Sequence, residues 1–191
     1  VGSEMCIRDR ITAEAFPDLI ASFSTSFASS NANRATNVIL ATERFNGKVV
    51  MPGEKLSFNS TVGKRTAARG YKEASVYVNG ETSTDYGGGI CQVSSTLYNA
   101  TVRANLGITD RSNHMFTVGY VPIGTDATVS WGAPDFVFKN TRKYPIKIVA
   151  TSAGRIVNFK IYGLKEDGDY DIEIKSTKTG TVPFKTTYTT D

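Results

Sequence analysis

A cysteine follows three glycines in the run Gly87-Gly88-Gly89-Ile90-Cys91-Gln92-Val93-Ser94-Ser95, where a glycine-rich loop is expected to turn into a helix. Free N–H groups and the positive end of the helix dipole favour a thiolate at such a junction, and the glycines leave room for a substrate backbone. The chemistry indicated is that of a reactive thiol acting as a nucleophile. His114 is the single histidine of the chain, so a general base of the usual kind must be this residue. Two structural readings stand beside these: Cys91 as a small buried hydrophobe at a helix start, and His114 as a polar strand start bonded to a backbone carbonyl.

Asp126 and Asp135 are the available orienting acids. If residues 114–121 and 126–132 pair as a hairpin, Asp126 sits at its turn end, about 20 Å from His114 at ~3.3 Å per residue, whereas Asp135 returns to the level of His114. Cys91, His114 and Asp135 are therefore the expected nucleophile, base and orienting acid, with Asp126 a structural turn residue. Asn113 replaces Asp135 only if the backbone twists sharply. Gly88, Gly89, Gln92 and Asn113 are the candidate substrate contacts.

Other chemistries find little support. One cysteine and one histidine fall short of a clustered zinc site, and the glycine triplet lacks the Gly-Lys-Ser/Thr ending of a phosphate loop. No metal or cofactor is expected. The segment Arg65-Thr66-Ala67-Ala68-Arg69-Gly70-Tyr71 reads as a solvated loop or as a contact for an anionic or sugar ligand. Trp131, Tyr98 and Tyr120 read as core before they read as a glycan platform.

The elements that must position these residues are visible in periodicity and turn signals. Asn33 can cap a helix over 34–45, with Val38, Ala41, Thr42 and Phe45 at helical spacing and Gly47 closing it. Residues 48–51 and the Leu56/Phe58 alternation flank a Pro52-Gly53 turn and are expected to pair. Residues 73–78 and 81–85 flank Asn79-Gly80, the strongest local hairpin signal in the chain. From Ile90, the positions Val93, Leu97, Ala100 and Ala104 form the stripe of a central helix, closed by Asn105 or Gly107. Cys91 lies at the edge of that stripe. His114, Phe116, Val118 and Tyr120 alternate as a strand would, returning over 127–131, and a further pair, 145–150 and 156–162, turns at Ala153-Gly154. The expected fold class is α+β, an antiparallel sheet with a central helix behind a glycine-rich loop.

The chain has 191 residues and a net charge of +4, with no basic stripe interleaved with aromatics, so nucleic acid is not an expected partner. A diffuse positive balance suits an anionic surface such as a cell wall. No apolar run approaches the roughly 20 residues of a membrane span, although an anchor upstream is compatible with the sequence. Residues 1–10 match neither a signal peptide nor the pattern of the rest, and they resemble adapter sequence read as coding. They are treated as non-native, which leaves Cys91 without a cysteine partner. A main domain is expected over 11–163, and a polar linker with the first strand of another β domain over 164–191.

Five blocks together resemble the VanW family: Pro52-Gly53-Glu54 with Ser57-Phe58-Asn59, then Arg69 to Ala74, then Gly88 to Asn99, then Asn113-His114, then Asp126-Ala127-Thr128-Val129. That resemblance makes 11–163 a VanW-like domain and implies an exported or membrane-anchored bacterial protein linked to vancomycin resistance. The tail Val182-Pro183-Phe184-Lys185-Thr186 resembles the start of a five-glycine extracellular domain linked to wall binding. The glycine-cysteine junction also resembles the nucleophile site of papain-like and transglutaminase-like enzymes, in which the cysteine N–H helps to form the oxyanion hole. Three functions follow as expectations: a cysteine amidase or transpeptidase acting on peptidoglycan stem peptides at the cell surface, a non-catalytic wall-binding module, or an assembly factor for another wall enzyme.

Overall fold

The computed structural model describes residues 15–78, 81–167 and 169–180. The first ten residues, Cys6 among them, the Asn79-Gly80 turn and the 182–186 tail lie outside the described residues. Nine strands and three α-helices follow in the order β1 (Asp18–Ser26), α1 (Ala32–Glu43), β2 (Val49–Val50), β3 (Lys55–Ser57), α2 (Phe58–Val62), β4 (Glu73–Val78), β5 (Glu81–Tyr86), α3 (Ile90–Arg103), β6 (Gly107–Asp110), β7 (Val137–Lys139), β8 (Ile146–Thr151) and β9 (Ile156–Gly163) among the described residues. Among the described residues all strand pairings are antiparallel, in three sheets ordered β1-β9-β8-β2, β3-β7-β6 and β4-β5. The fold is α+β, as the patterning indicates.

The helix α3 forms where its stripe predicts, and Val93, Leu97, Ala100 and Ala104 are all buried. It packs against β1, β9 and α1, and its apolar stripe shares one buried core with Phe159 and Ile161 of the large sheet and Val38 and Ala41 of α1. Asn105, at φ 54°, closes the helix in the left-handed conformation that asparagine tolerates. Strands β8 and β9 pair as expected, turning through Gly154 at φ 61°. The β4-β5 hairpin has the register that Asn79-Gly80 implies, with Val78 opposite Glu81.

Three local expectations give way to longer-range contacts. The first helix starts at Ala32 with Asn31 as its cap, because the Asn31 side chain accepts the Arg34 N–H, while the Asn33 amide reaches across to Glu73 O at 2.9 Å. The Pro52-Gly53 turn is present, with Glu54 N–H on Met51 O at 2.9 Å, but its flanking strands do not pair with each other. Instead β2 joins β8 and β3 joins β7, so the turn carries the chain from one sheet to another. Most consequential, residues 114–121 and 126–132 form no hairpin; the one bridge there is Ser112 with Thr128. The chain between them is a loop that leaves His114 and comes back to it.

Candidate active site

The glycine triplet is shaped by the protein's own packing. Gly87 and Gly89 take left-handed φ values of 91° and 102°, which glycine alone adopts without strain. A Cβ on Gly87 would stand 2.8 Å from Arg65 Cγ, one on Gly88 would stand 2.6 Å from Ser75 O, and one on Gly89 would stand 2.7 Å from Arg34 Cγ. The space that the sequence assigns to a substrate backbone beside Gly88 and Gly89 is therefore filled by β4 and by Arg34. Gln92 is likewise internal: its amide donates to Thr25 Oγ1 at 3.0 Å and Ser26 O at 2.8 Å, and its oxygen accepts Arg34 Nη2 at 3.0 Å. It anchors the helix start and Arg34.

Cys91 sits in the first turn of α3, half-buried and unpaired by any disulfide. The neighbouring Ile90 and Gln92 N–H groups bond Gly87 O and Gly89 O, whereas the Cys91 N–H has no backbone acceptor among the described residues. Further along the same face, α3 holds residues 125–129 by a ladder of hydrogen bonds. Asn99 Nδ2 donates to Thr125 O at 2.7 Å, Ser95 Oγ accepts the Ala127 N–H at 2.9 Å, and the Cys91 sulfur accepts the Val129 N–H at 3.5 Å. Four helical residues rise about 6 Å, and two extended residues advance about 6.6 Å. Positions 91, 95 and 99 thus match 129, 127 and 125 rung for rung.

That ladder presents Asp126 to His114. Asp126 Oδ2 lies 2.6 Å from His114 Nδ1 and accepts the His114 N–H at 2.6 Å, and Arg111 supports the carboxylate through Oδ1 at 3.3 Å and the main chain through Asp126 O at 2.7 Å. Asp135 is elsewhere: it accepts Ser57 Oγ at 2.5 Å, the Asn59 N–H at 2.9 Å and the Phe136 N–H at 2.7 Å, fastening the start of α2 to β7. The carboxylate beside the histidine is that of Asp126, and the hairpin argument that placed Asp135 there is corrected by the loop. Asn113 is exposed and donates to His114 O at 2.8 Å, so it does not substitute for the acid. It lines, with His114, Asp126, Phe116 and Ile123, an open cleft of about 300 Å³.

The electrostatics match a charged pair. Burial pushes the Cys91 thiol up, but hydrogen bonding to His114 and Val129 and the His114 charge together hold it below the ordinary thiol value. Burial pulls His114 down, yet contacts with Cys91 and Asp126 leave it above the ordinary imidazole value. Asp126, despite burial, is kept below the carboxylate range by the His114 backbone and ring. With Nδ1 on Asp126, Nε2 is the ring nitrogen left for the sulfur. The two shifts run in the directions that bring a thiolate and an imidazolium closer in energy to the neutral pair.

Tyr120, Thr128 and Arg34 complete the surroundings and were not among the expected site residues. The Tyr120 ring meets His114 edge-on, with centroids 6.5 Å apart, and Thr128 Oγ1 lies 3.7 Å from the sulfur. The Asp126-Ala127-Thr128-Val129 block was the one sequence signal pointing to this segment. Trp131 is 52% exposed and lies with its ring 6.0 Å from the Arg65 guanidinium, so it is not core. Among the described residues no group of three His, Cys, Asp or Glu side chains could hold a metal ion, and no helix is long and apolar enough to cross a membrane.

The family model described as VanW like protein matches residues 33–162. The protein named Uncharacterized protein YoaR from Bacillus subtilis (strain 168) is 45% identical over 163 residues, covering 83% of this chain and 54% of that protein. Vancomycin B-type resistance protein VanW from Enterococcus faecalis (strain ATCC 700802 / V583) is 34% identical over 113 residues, covering 56% of this chain and 41% of that protein. The chain thus spans about half, or less, of the length of these curated relatives. No solved structure matches it.

Proposed function

The chain belongs to the VanW-like family, and on that premise we propose that it is a bacterial cell-surface domain that acts on peptidoglycan stem peptides as a cysteine amidase or transpeptidase. The observation that carries this reading is the 2.6 Å contact between His114 Nδ1 and Asp126 Oδ2, which sets the imidazole between a carboxylate and the lowered Cys91 thiol. The vancomycin resistance in one relative's name directs the substrate class to the wall polymer.

In this mechanism the Cys91 thiolate attacks the amide carbonyl carbon, and the carbonyl π pair moves to oxygen beside the Cys91 N–H. The His114 imidazolium gives its proton to the departing amine as the C–N bond breaks, leaving a thioester. Water or an amine then loses a proton to His114 while attacking that thioester, and the thiolate leaves. Asp126 holds the ring and stabilises its charged form throughout. The order of cysteine, helix and histidine parallels papain-like and transglutaminase-like enzymes, which is an analogy of arrangement.

A second reading has its own observation. The sulfur accepts the Val129 N–H and lies 3.4 Å from Val129 O, so Cys91 also serves as a rung of the helix-to-segment ladder in a non-catalytic wall-binding module. Purified sacculi incubated with the wild-type protein and with Cys91→Ser separate the two. Altered muropeptides with the wild type alone support the enzyme. Identical muropeptide profiles with retained sacculus binding by both proteins overturn it in favour of the binding module.

A further inference from the structure

Arg65 lies in the segment that reads in sequence as a solvated loop or as a contact for an anionic or sugar ligand, and in the fold it is half-buried. Its stem packs on the glycine loop, where a Cβ on Gly87 would stand 2.8 Å from Arg65 Cγ. Its guanidinium faces two rings, 5.9 Å from the centroid of Phe58 and 6.0 Å from that of Trp131. Phe58 is fully buried, whereas Trp131 is half exposed, in a bend that the Ser130 N–H closes on Pro134 O at 2.9 Å.

One buried side chain holds both groups. Asn59 Oδ1 accepts Arg65 Nη2 at 2.7 Å, and Asn59 Nδ2 donates to Ser130 O at 2.6 Å and Pro134 O at 3.1 Å, on either side of Trp131 in the chain. Arg65 Nη1, by contrast, is buried with no hydrogen-bond partner among the described residues. The two rings offer cation–π attraction, which stabilises the charge but replaces no acceptor of ordinary strength. A charged donor shut away from water without an acceptor carries a desolvation cost that an anion meeting it would offset. Asp135, a carboxylate that acts on the Arg65 charge, is already bonded to Ser57, Asn59 and Phe136. The thiol is close by along the chain: Val129, whose backbone touches the Cys91 sulfur, precedes Trp131 by two residues, which span at most about 7 Å.

We propose that Arg65 and Trp131 form a carboxylate-binding subsite: a substrate carboxylate pairs with the Arg65 guanidinium through Nη1 as the Trp131 ring, the one of its two covers that reaches solvent, turns outward. The planar fork of a guanidinium matches a carboxylate in shape and charge, which a neutral sugar hydroxyl does not. The assignment of the ligand rests on the stem-peptide reading above, and it narrows that substrate to a peptide with a free carboxylate near the amide that Cys91 attacks. Such a peptide offers a carboxylate from two sources, its chain end and an acidic side chain. Arg65 is a binding residue here, and no bond is made or broken on it. Asn59 holds the guanidinium and the base of the tryptophan bend in place before substrate arrives.

Trp131 is the single tryptophan of the chain, so its fluorescence reports on this subsite alone. Three probes, each in D and L forms, are titrated into the whole protein: acetyl-dialanine with a free terminal carboxylate, its terminal amide, and acetyl-glutamyl-alanine amide, whose carboxylate is on the side chain. The emission is expected to change with at least one of the two acids, and the uncharged amide to bind about ten- to a hundred-fold more weakly than that acid. Whichever acid binds more tightly names the source of the carboxylate. Arg65→Met, which keeps the stem against Gly87 and removes the charge, is expected to lose the same factor. Equal affinities for acid and amide, no response to either acid, or wild-type affinity for the acids in Arg65→Met overturns the proposal; the first two are read on the wild type and need no variant to fold. Digestion of sacculi separates the subsite from the reading it rests on. Arg65-dependent carboxylate binding with unchanged muropeptides keeps the subsite and removes the enzyme, whereas altered muropeptides with no preference for acid over amide keep the enzyme and remove the subsite.

Discussion

One carboxylate oxygen, Asp126 Oδ2, lies 2.6 Å from both the ring Nδ1 and the backbone N of His114, so it fixes the imidazole and its main chain together. Asp126→Asn keeps the shape and removes the charge that raises the His114 pKa. Cys91 alkylation by iodoacetamide near neutral pH is then expected to slow about ten-fold, equivalent to roughly one pKa unit. Asp135→Asn is expected to leave alkylation unchanged and to lower stability by about 1–3 kcal/mol through its buried hydrogen bonds. Alkylation kinetics and denaturant melts of the two variants check the assignment, and the opposite pattern would restore Asp135.

The opposed shifts of Cys91 and His114 give a signature in pH. His114, raised in the folded state, contributes stability that is full below the ordinary imidazole value and is lost as pH rises through its folded value. Cys91, lowered, contributes stability that is full above the ordinary thiol value and is lost as pH falls through its folded value. Relative to wild type, His114→Ala should therefore cost most stability at acid pH and Cys91→Ala most at alkaline pH. Melting temperatures across pH 5 to about 9 report this, and parallel curves for all three proteins would count against an ion pair.

Gly88 has the backbone oxygens of Ala74 and Ser75 where a Cβ would stand, at 2.7 and 2.6 Å. Gly88→Ala must move β4 away from α3 and is expected to cost about 1–3 kcal/mol. Gly53→Ala, at φ 78° with open space around it, carries only the conformational penalty, about 1 kcal/mol. Equal melting temperatures for the two variants would show that the triplet is not packed as described.

Asn99 is buried and its amide bridges Ser95 O at 2.8 Å and Thr125 O at 2.7 Å, some distance from the sulfur along α3. Asn99→Ala removes the far rung of the ladder that holds the Asp126 segment. Stability is expected to fall by about 1–3 kcal/mol, and Cys91 alkylation to slow although no group at the thiol has changed. Unaltered alkylation in a folded Asn99→Ala protein would show that the nearer rungs alone position Asp126.

The sequence by itself determined the parts whose causes are local. The α3 stripe of Val93, Leu97, Ala100 and Ala104, the Asn79-Gly80 hairpin and the Gly154 turn each rest on residues within one or two turns of one another, so period and turn chemistry suffice. Cys91 at the head of that helix was legible for the same reason, because a helix start is a local event. Which carboxylate stands beside His114 depends on tertiary contacts. His114, Phe116, Val118 and Tyr120 alternate like a strand, but a strand needs a ladder partner, and here the backbone of 125–129 bonds instead to the side chains of Asn99, Ser95 and Cys91. Those bonds span 26 to 38 residues, and no periodicity within the loop encodes them. They return Asp126 to His114 and send Asp135 to the α2 junction, because matching a helix rise to an extended segment is a property of two elements in space.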